Sequence, residues 1–130
     1  MTQSGPLELA YLGDAVWELY VRNRQLEKSG RVKDLHRQAV SHVRAGAQAA
    51  SLRRISEMLT EEEQAVVRRA RNAHQTPTKN ADIAEYHMAT AFEALLGWLY
   101  LEGRNGRLDQ LMAAAYDEEE SHTPNGGNSL

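Results

Sequence analysis

The sequence predicts an all-α domain, and three observations carry that expectation. Proline occurs only at Pro6, Pro77 and Pro124, so long stretches are free of the strongest helix breaker. Ala, Leu, Glu, Arg and Gln, which lose little freedom in a helix, are plentiful. Apolar side chains recur at intervals of three and four, the spacing that lines one face of a helix. The chain has 130 residues and no cysteine. That length suffices for one compact domain that buries its own core without disulfides or structural metal.

About five main helices follow from the pattern. Pro6 suits a first helical turn, and Leu9, Leu12, Val16, Leu19 and Tyr20 form a stripe over Leu7 to about Gln25, ended by Ser29 and Gly30. A second helix is expected from near Lys33 to about Arg54, where Leu35, Ala39, Val43, Ala47 and Ala50 recur. Thr60-Glu61-Glu62-Glu63 matches a capping box and starts a third helix that fades near Asn72. Ala73 to Asn80 reads as a loop, after which Asn80 or Asp82 caps a fourth helix reaching Glu102. Gly103 to Gly106 makes a turn, and Arg107 to about Tyr116 lays Leu108, Leu111 and Met112 on the bundle. The domain is therefore expected over residues 1–116, with the acidic and polar residues 117–130 as a disordered tail.

Charge narrows the functional classes. Lys and Arg total 15 against 18 Asp and Glu, a formal charge of −3, which gives no general attraction to a polyanion. A nucleic-acid site must then come from local clustering. The best cluster is Arg68, Arg69, Arg71 and Lys79, a run without an acid that could track the phosphates of an A-form duplex. Arginines there also complement the negative end of the third helix, which needs no ligand. Lys33, His36, Arg37 and Arg44 form a weaker basic face that an ordinary solvated surface explains equally well. His36 and His42 lie on different helix faces, so no histidine pair has metal-ligand spacing. No window approaches the ~18 apolar residues of a membrane span. The start, Met1 to Gly5, lacks the pattern of a signal peptide. A soluble cytoplasmic protein without membrane contact is expected.

Two acids interrupt the most apolar stretches: Asp14 within Leu9-Ala10-Tyr11-Leu12-Gly13-Asp14-Ala15-Val16-Trp17, and Glu93 within Met88-Ala89-Thr90-Ala91-Phe92-Glu93-Ala94-Leu95-Leu96-Gly97-Trp98. A buried unpaired carboxylate costs several kcal/mol and needs a partner or a function. Gly13 and Gly97 accompany them, although glycine within a helix costs about 1 kcal/mol relative to alanine. Close crossing of the first and fourth helices would explain both features. The two carboxylates could then converge on one hard cation such as Mg²⁺, with Mn²⁺ as a substitute and Glu18 assisting. Either acid could instead pair with a basic residue or face solvent. Tyr11, Trp17, Phe92, Trp98 and Tyr100 read as core or interface groups rather than base-stacking platforms.

The stretch from Leu9 to Val16 resembles the signature helix of the ribonuclease III family, in which an acid follows Leu-Gly, and Thr90 to Gly97 resembles that family's second metal-binding helix. The likeness narrows to its stand-alone catalytic domains, the Mini-III ribonucleases. It does so through Tyr20-Val21-Arg22, Asp34-Leu35-His36, Arg71-Asn72-Ala73 and Pro77-Thr78-Lys79-Asn80, and covers roughly Leu7 to Met112. The resemblance implies a homodimeric, Mg²⁺-dependent endonuclease on double-stranded RNA, with Asp14 and Glu93 as catalytic metal-binding residues. It further implies products with 5′-phosphate and 3′-hydroxyl ends, and 23S ribosomal RNA precursor as substrate, with a ribosomal protein as a potential helper. Where full-length ribonuclease III carries further acids, this chain has Ala10 and Thr90, so a thinner metal site is expected. The residues after Tyr116 are too few for a double-stranded-RNA-binding domain, so the catalytic domain is expected to grip RNA itself. A duplex has two strands and each domain one acidic pair, so a twofold dimer is expected, with Tyr11 and Trp17 of the signature helix at its interface. The alternatives are a non-catalytic RNA-binding module of the same fold acting in ribosome assembly, and a helical interaction scaffold without RNA.

Overall fold

The computed structural model describes residues 4–27, 42–73 and 82–116. The expected stop at Ser29 and Gly30, the first part of the second helix, most of the Ala73–Asn80 loop with Lys79, and the 117–130 tail lie outside the described residues. Within them are five α-helices: α1 (Pro6–Glu27), α2 (Ala45–Ile55), α3 (Glu61–Arg71), α4 (Ile83–Leu101) and α5 (Asn105–Ala115). A 3₁₀ turn (Ser56–Met58) follows α2, and no strand occurs among the described residues. The all-α expectation holds. No helix among the described residues is long and apolar enough to cross a membrane.

The helix ends follow local chemistry. At the start of α1 the Gly5 N–H donates to Glu8 Oε1 at 3.0 Å, satisfying an amide that has no intrahelical partner. Asp82 rather than Asn80 caps α4, its Oδ1 accepting from the Glu85 N–H at 3.1 Å. Gly103, at φ 74°, supplies the left-handed residue that lets α5 begin at Asn105, ahead of the expected Arg107.

The single helix expected to run to Arg54 is broken at Arg44, whose backbone is extended at φ −75° and ψ 162°, between helical His42–Val43 and the start of α2. Just before the break, the His42 carbonyl accepts from the Trp17 indole N–H at 3.1 Å. Trp17 is fully buried and stands edge-on to Phe92, with ring centroids 4.9 Å apart. It therefore belongs to the core of one chain and not to a surface that meets another, as the sequence suggested. Tyr11, by contrast, is 85% exposed.

α4 is the centre of the bundle, with α1, α2 and α3 packed around it. From Ala89 to Leu99 every residue except Glu93 is buried. Phe92, Leu95, Leu96 and Leu99 meet Trp17, Ile55 and Leu111 in one continuous core.

Glu63 ties the rim of this bundle together. The Thr60 N–H donates to Glu63 Oε1 at 2.9 Å while the Glu63 N–H donates to Thr60 Oγ1 at 3.1 Å, the reciprocal cap expected from the sequence. The same carboxylate, only 2% exposed, accepts from Arg107 Nε and Nη2, each at 2.9 Å. Arg107 Nη2 also donates to the Met58 carbonyl at 2.7 Å. The Arg107 hydrogen bond, with those from Thr60, holds the Glu63 carboxyl below its ordinary pKa. A depressed folded-state pKa contributes stability that is complete above the unfolded carboxylate range and lost as pH falls through the lower folded value. Arg107→Ala strands the buried carboxylate. The expected result is a loss of about 3 kcal/mol at neutral pH, with a flatter acid limb in urea unfolding followed from pH 7 to pH 3.

Candidate active site

The site begins with a backbone contact. α1 and α4 cross where Gly13 faces Gly97, so closely that a Cβ on Gly13 would overlap the Glu93 carbonyl oxygen and one on Gly97 would overlap the Leu9 carbonyl oxygen. Only glycine permits this approach, which explains the two otherwise costly helix glycines. Because Gly13 precedes Asp14 and touches the backbone of Glu93 itself, the crossing sets the two acids opposite each other.

Both carboxylates line an open cleft of about 470 Å³ between α1, the start of α2 and α4, together with Tyr11, Gln48, Tyr86 and Thr90. Asp14 is exposed and Glu93 partly buried. The Glu93 carboxyl is pushed up to about 8, first by burial and then by the negative charge of Asp14, with a hydrogen bond to Asp14 adding to the rise. The Gln48 amide opposes the shift. Neither acid is locked in an ion pair with a described basic residue.

Ala10 and Thr90 also line the cleft, and the Thr90 hydroxyl donates to the Tyr86 carbonyl at 3.0 Å. Among the described residues no group of three or more His, Asp or Glu is arranged around a common point. Glu18 does not assist: it pairs with Arg22 at 3.1 Å and lies outside the cleft lining.

Gln48 was not singled out from sequence. It is 1% exposed, and its Nε2 has no hydrogen-bond partner among the described residues. The amide stands close enough to Glu93 to influence its proton affinity yet short of hydrogen-bond geometry. No local signal marks it, because the break at Arg44 sets which face of α2 turns inward.

Of the basic cluster, Arg68, Arg69 and Arg71 are exposed on the last turns of α3. Arg68 and Arg71 border a groove of about 390 Å³ floored by Leu52, Leu59 and Met88, whereas Arg69 lies off it. The groove's third arginine, Arg53 of α2, was missed from sequence, since only the fold brings it to α3. Met88 belongs to this groove and its neighbour Ala89 to the acidic cleft, so the two sites flank α4.

Residues 7–104 match the family model described as the Ribonuclease III domain. The chain belongs to the ribonuclease III family. This ribonuclease III-family chain is 56% identical over 115 residues to the Mini-ribonuclease 3 of Symbiobacterium thermophilum, covering 86% of this chain and 88% of that protein. It is 39% identical over 132 residues to the Mini-ribonuclease 3 of Clostridium tetani, covering 99% and 87%. The crystal structure of a Fusobacterium nucleatum protein superimposes with a TM-score of 0.80 at 31% identity, covering 87% of this chain and 93% of that one. The family is one of endoribonucleases, hydrolases of RNA phosphodiester bonds.

Proposed function

We propose that this chain is a divalent-metal-dependent endoribonuclease specific for double-stranded RNA, with Asp14 and Glu93 as its catalytic, metal-holding pair. The observation that carries the reading is the convergence of two carboxylates, 79 positions apart by residue number, in one solvent-open cleft. The donor set fits a hard cation: carboxylate oxygens with room for water, and neither thiolate nor imidazole in the lining. Mg²⁺ matches this set, and Mn²⁺ can substitute. When bound, the ion supplies Lewis acidity toward water and phosphate oxygen. Asp14 and Glu93 hold rather than attack. Thr90 does not act as a nucleophile, because its hydroxyl donates to the Tyr86 carbonyl. Hydrolysis forms one P–O bond from water and breaks the bond to the 3′ oxygen, which takes up a proton. The ends are 5′-phosphate and 3′-hydroxyl.

The reading extends to a 23S ribosomal RNA precursor as substrate in the cytoplasm, with assistance from a ribosomal protein, and to residues 1–116 as the catalytic unit. Purified protein should cut a long RNA duplex only with added Mg²⁺ and leave single-stranded RNA intact. Binding without cleavage would favour the silent RNA-binding module instead.

Arg68, Arg69, Arg71 and Lys79, joined by Arg53, are proposed to contact RNA phosphates. Arg68→Ala with Arg71→Ala should weaken duplex binding at low salt. The slope of log K against log [NaCl] should fall by about 1 for each contact removed. Cleavage at saturating RNA should stay near wild type. An unaltered salt slope would remove these arginines from the RNA surface.

A twofold dimer is also proposed. Its surface is the outer face of α1 with the end of α4, where Leu19 is 67% and Tyr100 51% exposed beside an apolar groove that includes Val16, Leu108 and Met112. Exposed apolar area of this kind on a small domain calls for a partner. Light scattering should give twice the chain mass.

A further inference from the structure

The cleft contains one polar group that the acid pair does not explain. Gln48 is enclosed by protein, faces the cleft from α2, and presents an Nε2 donor with no acceptor among the described residues. An unmade hydrogen bond by a buried amide costs about 1–3 kcal/mol, so a folded chain keeps such a group only where something outside the resting arrangement uses it. Glutamine is also a poor choice for packing alone at this position. α2 is otherwise small-sided here, with Ala45, Gly46, Ala47, Ala49 and Ala50 around it.

The nearest chemically matched acceptor is the Glu93 carboxylate, which lines the same cleft and already feels the Gln48 amide. A carboxylate is a good acceptor for an amide N–H, and a carboxylate holding a cation through one oxygen has the other oxygen free to accept. Side chains that hydrogen-bond to metal-holding carboxylates fix their orientation, and removing such a partner costs roughly 10–100-fold in metal affinity or activity.

We propose that Gln48 is a positioning residue: its Nε2 donates to the Glu93 carboxylate and orients it toward Asp14 for joint binding of a divalent cation. The proposal rests on the metal-dependent reading above and adds to it a residue contributed by a third helix. It also gives the break at Arg44 a role at the site. The helix that starts after Arg44 places Ala45 and Gln48 in the cleft wall.

The test uses Gln48→Met, close in shape but without a donor, and Gln48→Ala in case the first packs poorly. Thermal unfolding without RNA is followed as Mg²⁺, or Ca²⁺ as a non-catalytic probe, is titrated from EDTA. Wild type should be stabilised by the cation. Both variants should keep or slightly exceed the wild-type Tm in EDTA, because an unpaired buried donor is gone. Their half-maximal stabilisation should need at least about tenfold more cation, with cleavage shifted along the same axis. In a Glu93→Gln background, Gln48→Met should leave the residual cleavage rate unchanged, since it acts through Glu93. A cation midpoint equal to wild type, or a lowered Tm in EDTA with the midpoint unmoved, overturns the positioning role and leaves the acid pair standing. Absence of any cation response in wild type overturns both.

Discussion

Glu93→Gln and Asp14→Asn are each expected to lower the rate of duplex-RNA cleavage by at least about 10²–10³-fold, the scale set by losing a principal electrostatic element of an active site. Each substitution keeps the shape and hydrogen-bonding reach of the side chain, so the loss isolates charge. Stability should move the other way. Glu93 is partly buried and faced by the Asp14 carboxylate, an arrangement that raises its proton affinity and opposes ionisation in the cation-free protein. Removing one charge ends that opposition, so the Tm in EDTA should rise while the response to Mg²⁺ disappears. Gel assays of cleavage and paired thermal scans check both halves. A variant that cuts at the wild-type rate with Mg²⁺ would sink the assignment of the pair.

The second large effect concerns the helix crossing. Gly97→Ala and Gly13→Ala would each gain up to about 1 kcal/mol from helix propensity if the sites were open. They are not open. The added methyl group would meet a backbone carbonyl of the opposing helix rather than a side chain that could swing away. α1 and α4 would have to separate along the most extensive packing surface of the fold. The clash should outweigh the propensity gain and destabilise by about 4 kcal/mol or more, a large share of a small domain's total. Thermal unfolding should show a drop on the order of 15 °C. Gly13→Ala should also weaken cation binding at sub-denaturing temperature, because the displaced carbonyl is that of Glu93. A rise in Tm for either variant would show that the crossing is looser than described.

Much of this was legible in the sequence, for physical reasons that differ by element. The Thr60–Glu63 cap and the start of α4 at Asp82 are local hydrogen-bond chemistry and follow from spacing. The acid pair was legible because carboxylates and glycines in apolar helices conflict with propensity and burial, and such conflicts concentrate where a site or a close contact is needed. What could not be seen depends on long-range contact. The break at Arg44 is accompanied by a hydrogen bond to Trp17, 25 positions away from His42. Trp17 reads as a potential interface group until Phe92 is seen against it. Arg53 and Gln48 carry no local mark, because the same residues on a differently rotated helix would be ordinary surface and ordinary filler.

Glu93 rides on the most deeply enclosed helix of the molecule, not on a surface loop. Segments of that kind open to solvent only when the whole domain does, whereas loop-borne sites can be lost by local opening. The proposed metal-holding centre therefore shares the fate of the core. Heat or denaturant should leave no long-lived species that keeps its bundle yet has scattered its acids, and inactivation is governed by the same barrier as global melting.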